Sequence, residues 1–515
     1  MGIPLSSLAR NTVWNLVGQG LTLVLGFLAV KFVYGRLGGD AVGIIFFTLT
    51  VSSVFTLTLD LGISSTVVRE VSARFAKDPE YIHDLMRTGS LLYWGAWAVL
   101  ALLLWLAAPW LVHRWIRLET LDAPTAVAAV RIFGAGALLI LPRSIYVGLL
   151  RGLQRMDFTN AIDAAASAVQ QGGVLAILVF WPHARLEAIA WWLSTAVAGG
   201  LLAYVIAVLR FLPARALVPG LVVDVLSRNY RFASRLVWIT VLSLVMTHLD
   251  RIVVSRLLPV GVFGSYAFGH SVVAKAAFLG IAIGTAAYPL LSSLSSAGAR
   301  EEMGAQYRKL QDLTCFGTVP LFAAVPFAVV PVFGHVFEPE VGRALLLPLT
   351  WVTVGSYLNG MLNIPYFFSL AVDRADIAAR LQAYALPICV PICLVAVSQF
   401  GLSGAGFSWM CYQLFAFFYA VPRLCRECLE IEPAQWYRHA GRVLALAGGT
   451  YGLVWLALAA AGLSASTLGL AVGYGVATAV YAVVAYLLLG VELRGSLRHF
   501  FGAAGRLLSG QAVVR

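Results

Sequence analysis

Residues 236–258 read LVWITVLSLVMTHLDRIVVSRLL, a run suited to lipid that nevertheless carries Asp250 and Arg251 near its far end. Thr240, Ser243, Thr247 and the Asp250/Arg251 pair recur at spacings of three and four, so a helix gathers them on one face. An ionisable side chain inside a bilayer costs roughly 2.5–3.5 kcal/mol on insertion scales, and such groups face protein or water, so this stripe is read as pointing inward. Adjacent positions lie about 100° apart on a helix, so Asp250 and Arg251 are expected to find separate partners. The competing reading is that Arg251 snorkels outward while Asp250 bridges to another helix.

The rest of the chain extends the same pattern. Of 515 residues, 60% are hydrophobic and 12% charged, against about 25% charged in soluble domains. A helix needs about 20 mostly apolar residues to cross the hydrocarbon layer. By that measure about fourteen segments qualify, from 12–34 to 466–489. The connections leave no room for a sizeable soluble domain, and the segments lack the alternation of a β-barrel. The fold class is all-α polytopic membrane protein.

The net charge of +12 is topological and gives no reason to expect nucleic acid. With the N-terminus inside, about 25 Lys and Arg fall on the cytoplasmic side and about 7 outside. Arg300, Arg308, Lys309, Arg374, Arg380, Arg423, Arg426, Arg438 and Arg442 are among the inner group. Both termini are therefore expected in the cytoplasm. Asn15 and Gln19 interrupt the first segment, which has no small-residue cleavage site and reads as a retained helix. Cys425-Arg-Glu-Cys428 is a lone CxxC without a second pair, so no metal site is read from it.

An internal repeat is visible. KFVYGRLGGDAVG (31–43) and RIVVSRLLPVGVFG (251–264) each place a base, four residues, an Arg-Leu and then a glycine opening the next helix, with one residue inserted in the second copy. Six spans separate the copies, so both enter the membrane in the same orientation. Parallel repeats of this kind build two lobes around a cavity. The expected organisation is an N-lobe of helices 1–6 (1–210), a C-lobe of helices 7–12 (211–430) related to it by a pseudo-two-fold, and helices 13–14 with a basic tail (431–515).

Polar residues within the spans are the site candidates. Lys275 lies about 20 Å into the eighth helix, far from either interface, and is expected to line an aqueous cavity. Arg143 follows Pro142, a kink able to aim its guanidinium inward, with snorkelling as the alternative. Asn15 and Gln19, and on the tenth helix Asn359 and Asn363, form amide stripes that suit either interhelical hydrogen bonds or a sugar. Asp60 and Asp163 are read as loop anchors. Asp250 and His270 are the candidates for coupling to protons or sodium. An interior with more cations than acids implies an anionic passenger bearing phosphate or carboxylate.

Three stretches carry a family likeness: RLGGDAVGIIFFTLTVSSVFTLTLDLGISSTVVREVS (36–72), RGLQRMDFTN (151–160), and LDRIVVSRLLPVGVFGSYAFGHSVVAKAAFLGIAIGTAAYPLLSSLSS (249–296) with its Leu-Asp-Arg, Gly-x-Tyr and Tyr-Pro. They resemble Wzx-type oligosaccharide flippases, in the superfamily that also holds the MATE exporters and the lipid II flippase. The resemblance implies a flippase of the bacterial inner membrane that moves an undecaprenyl-pyrophosphate-linked oligosaccharide by alternating access, among membrane lipids and beside polysaccharide polymerase and export machinery. On that reading Lys275, Arg251 and Arg143 hold the pyrophosphate, and Asn15, Gln19, Asn359 and Asn363 meet the sugars. No cofactor and no enzymatic activity are expected, and no GxxxxGK[ST] loop is present to cradle ATP. The alternative is a MATE-like ion-coupled exporter, against which Lys275 and the two extra helices count.

Overall fold

A computed structural model of the chain describes residues 22–59, 63–374, 376–489 and 494–495; Asn15, Gln19 and Asp60 lie outside the described residues. Every regular element among those described is helical. In chain order they are α1 (22–37), α2 (Gly39–Leu59), α3 (Ile63–Arg74), α4 (Pro79–Trp110), α5 (Ala123–Ala137) and α6 (Ile140–Gly152). There follow α7 (Met156–Phe180), α8 (Leu186–Val208), α9 (Val223–Leu257), α10 (Val260–Ser296), α11 (Arg300–Ala328) and the short α12 (Gly334–Val336). The last are α13 (Pro339–Ala371), α14 (Asp376–Leu424), α15 (Pro433–Ala447), α16 (Leu453–Ala460) and α17 (Thr467–Leu488).

Local chemistry sets the boundaries. Asp78 and Asp122 cap α4 and α5 by accepting from the backbone N–H of Tyr81 at 3.1 Å and Thr125 at 2.9 Å, each with a proline in the first turn. The Thr125 N–H holds the exposed Asp122 carboxyl below its ordinary pKa. Between α5 and α6 the break precedes Pro142, as the sequence suggests. Proline has no N–H to offer the Leu138 carbonyl, which accepts instead from Leu141 at 3.0 Å in a tighter turn.

Among the described residues, eleven helical segments are long and apolar enough to cross a membrane. One of them, containing α14, is two passes. Gly401 adopts φ 58° and ψ −131°, and Tyr412 donates to Gln382 Oε1 at 3.0 Å, which a straight helix would hold about 45 Å apart. With α1 and α9 the fourteen expected segments are accounted for. The faces agree with lipid as solvent. On α17, Leu470, Gly473, Ala477, Tyr481 and Ala485 are buried, while Leu468, Val472, Val476, Val480, Val483 and Leu487 form an exposed apolar stripe at helical spacing.

The chain divides into two compact units, Met1–Phe268 and Gly269–Arg515. In the first, α2 and α10 begin side by side. A β-carbon at Gly43 would stand 2.0 Å from the Val260 carbonyl oxygen, and one at Gly264 would stand 2.6 Å from the Gly43 Cα. Only glycine permits this approach. Gly43 and Gly264 are equivalent positions of the sequence repeat. Next to them the buried Asp40 carboxylate accepts from the backbone N–H groups of Glu119, Thr120 and Leu121 at 2.7, 2.7 and 3.0 Å, tying that loop to the start of α2.

In the second unit α10 and α13 run in the same direction. β-Carbons at Gly269, Gly280 and Gly284 would lie 2.6 Å from Leu349, 3.1 Å from Asn363 and 2.2 Å from Phe367. Prolines inside α11 and α13 strip carbonyls of their N–H donors, and side chains replace them. Pro320 frees the Phe316 carbonyl, which accepts from the Tyr481 hydroxyl at 2.9 Å. Pro365 frees that of Met361, which accepts from Gln311 Nε2 at 3.0 Å. The Tyr481 bond, with Tyr474 donating to the Pro320 carbonyl at 3.0 Å, fastens α17 to α11.

Candidate functional site

Asp250 is 2% exposed, so its charge depends on protein partners. The Tyr266 hydroxyl on α10 donates to its Oδ2 at 2.7 Å. Arg251 also approaches: its Nε lies 3.9 Å from Asp250 Oδ1, and its Nη2 donates to the Thr247 carbonyl at 2.8 Å. Each of the two therefore has its own hydrogen-bond partner, as expected, and the arginine in addition comes within ion-pair range of its neighbour. The helical angle between neighbours governs their Cβ atoms, whereas the long arginine folds back along its own helix and reaches both the preceding turn and the adjacent carboxylate. The interhelical bridge from Asp250 is present, through Tyr266. Arg251 stays largely covered, at 15% side-chain exposure.

Arg143 has a partner that its sequence neighbourhood conceals. Its guanidinium forms an ion pair with Asp163 on α7 and lies 5.1 Å from the centre of the Tyr204 ring on α8. The Tyr204 hydroxyl donates to the same carboxylate oxygen at 2.6 Å. Asp163 therefore serves as the counter-ion of Arg143 within the bundle, and the reading of it as a loop anchor is corrected. The three groups satisfy one another across three helices.

Lys275 differs from both arginines. It sits about 22 Å into α10 counting from Val260, is exposed, and among the described residues forms no ion pair or hydrogen bond. The contacts of Gly280 with Asn363 and of Gly284 with Phe367 fix the register of α10 against α13. Position 276 then falls level with Asn359. Both amides are half-buried, so Lys275, Asn359 and Asn363 share one layer of the second unit. His270 is buried, its ring centre 5.8 Å from that of Trp409, whose Nε1 donates to Ser356 Oγ at 3.1 Å.

Among the described residues, one cation of the three thus has no counter-charge. Tyr204, Trp409 and the counter-ion role of Asp163 escaped sequence reasoning, because nothing in a linear pattern states which helices adjoin. Tyr266 was visible as the last residue of the Gly-x-Tyr triplet.

Residues 8–295 match the profile of a family described as Polysaccharide biosynthesis protein. A Shigella flexneri protein named provisionally as an O-antigen transporter is 22% identical over 413 residues, covering 78% of this chain and 94% of the relative. Solved structures share the fold. The lipid II flippase MurJ in an inward closed conformation superposes with a TM-score of 0.71 at 12% identity, covering 92% of this chain and 98% of that one. An inward-facing multidrug resistance MATE family transporter of the MOP superfamily gives 0.64 at 13% identity, with 80% and 98% covered.

Proposed function

Since the chain belongs to the polysaccharide biosynthesis protein family, we propose that it flips a polyprenyl-pyrophosphate-linked oligosaccharide across the bacterial inner membrane by alternating access through a cationic cavity. The observation that carries this reading is Lys275: an exposed ammonium deep in a membrane-spanning helix, with no carboxylate to neutralise it among the described residues. Such a charge is costly in hydrocarbon and is balanced by an anionic passenger. The relative with an O-antigen transporter's name supports a glycan cargo.

Lys275 is the primary pyrophosphate ligand in this proposal, with Asn359 and Asn363, at its level, offering amides to sugar hydroxyls. Arg251 and Arg143 are secondary ligands, recruited when a phosphate displaces Asp250 or Asp163. Asn15 and Gln19 remain sugar-contact candidates, and Asp250 and His270 candidates for proton or sodium coupling. The two six-helix lobes, both termini in the cytoplasm and association with polymerase and export machinery complete the proposal.

Proteoliposomes loaded with undecaprenyl-pyrophosphate oligosaccharide test it. The expected result is protein-dependent exposure of the sugar to an external glycosidase. If several glycans remain inaccessible in vesicles shown to hold folded protein, flipping is rejected and ion-coupled export of small molecules becomes the reading to pursue.

A further inference from the structure

A cavity of about 870 Å³ opens at one end of the second unit, where the turn at 297–299, the end of α13 and residues 425–432 meet the starts of α11 and α15. None of the candidate site residues lines it. From α11 come Tyr307, Arg308, Gln311 and Asp312, and from α15 Trp436 and His439. Met303 and Phe368 back it as part of a buried apolar cluster.

The charges around this space are unevenly compensated. Two rim arginines are committed: Arg300 to Glu430, and Arg374 to Asp376 and Glu427. Arg374 lies in the turn after α13, and the hydrogen bonds it donates to Asp376 and Glu427 raise its already high pKa, so it stays charged and occupied. Arg308 is exposed and, among the described residues, has no acid partner. Deeper in, His439 Nε2 stands 3.5 Å from Asp312 Oδ1, both about a quarter exposed to the cavity side of the fold. Gln311 is 4% exposed. Its Nε2 serves the carbonyl freed by Pro365, which fixes the amide's orientation, and its Oε1 in the cavity wall has no donor.

The cavity thus joins a free guanidinium at the mouth to acceptors in the interior. It is too large for a single ion and falls within the range of small-molecule sites. We propose that it binds a phosphate ester carrying free hydroxyls, with the phosphate on Arg308 and the hydroxyls toward Asp312, His439 and the Gln311 amide. A glycerol phosphate headgroup of the adjoining lipid leaflet and a soluble sugar phosphate share that chemistry. The proposal does not depend on what the protein transports.

The full chain in phosphatidylcholine nanodiscs is titrated calorimetrically with glycerol 1-phosphate and glucose 1-phosphate; in parallel, native mass spectrometry compares retention of phosphatidylglycerol with that of phosphatidylcholine. Saturable binding of a soluble ester identifies a cytosolic source, and selective retention of phosphatidylglycerol alone identifies a lipid source. In either case Arg308→Ala is expected to weaken binding roughly tenfold, the loss of one charge-assisted hydrogen bond. Arg343→Ala, at an exposed arginine outside the cavity, is expected to leave it unchanged. Arg308 is exposed, so its replacement does not threaten folding. The proposal is overturned if neither probe binds the wild-type protein, if Arg308→Ala binds as tightly, or if both variants lose affinity equally, which would reduce binding to general electrostatic attraction.

Discussion

The Tyr266 hydroxyl donates to Asp250 Oδ2 at 2.7 Å, joining the Leu-Asp-Arg triplet of α9 to the Gly-x-Tyr triplet of α10. The two triplets lie next to each other in the chain and meet again as a buried hydrogen bond to a charged group. Tyr266→Phe keeps the ring, which is fully buried, and removes only the donor. Loss of a hydrogen bond to a buried charge costs about 1.5–3 kcal/mol. Thermal unfolding of the detergent-purified variant is expected to show a clear decrease; an unchanged melting curve would mean that the bond contributes nothing.

Arg143, Asp163 and Tyr204 should behave as a unit. A double-mutant cycle of Arg143→Ala with Asp163→Asn is expected to show a coupling of about 1 kcal/mol, modest because both side chains keep some exposure. Strict additivity would show that the pair exists in geometry but not in energy.

The glycine contact between α2 and α10 predicts a sharp contrast. Gly43→Ala forces a β-carbon onto the Val260 carbonyl, and overpacking of this kind costs about 1–3 kcal/mol. Gly26→Ala in α1 meets nothing within 4 Å and is expected to be neutral or slightly stabilising, since alanine favours helix over glycine by roughly 0.5–1 kcal/mol. Comparable folded yields of the two variants would argue against the close approach.

Lys275 separates charge from shape. Lys275→Ala is expected to abolish most translocation at normal protein levels, and Lys275→Arg to retain part of it, because the group acts as a point charge. Full activity of Lys275→Ala would remove the main support for an anionic passenger.

Gly401→Ala probes the reversal in α14. At φ 58° and ψ −131° an L-residue carries strain of roughly 1–3 kcal/mol. The variant is expected to unfold at a lower temperature than wild type; equal stability would imply that the turn relaxes at no cost.

The sequence announced its helices well because a bilayer leaves few choices: apolar length and proline interruptions both act locally. The kink before Pro142 and the repeat that makes Gly43 and Gly264 equivalent were readable for the same reason, as each is written within a few residues or within a repeat, whereas the contact between the two glycines was not. Partners across helices were not. Asp163 lies 20 residues from Arg143 and Tyr204 lies 61 away, and helical periodicity gives the face of a residue without naming the helix opposite. Arg251 adds an approach to Asp250 that the local rule does not foresee, because its reach exceeds the spacing on which the rule rests.

The hairpin at Gly401 bears on how the chain enters the bilayer. Its two helices are joined by a single residue in a reversed conformation, and Gly404 packs directly on the Ala396 carbonyl. There is almost no hydrophilic connection to thread through the hydrocarbon during biosynthesis. The two passes can leave the insertion machinery as one preformed wedge, each shielding the other's backbone near the turn, so that a charged insertion at 400–402 should disturb membrane integration before it disturbs anything the mature protein does.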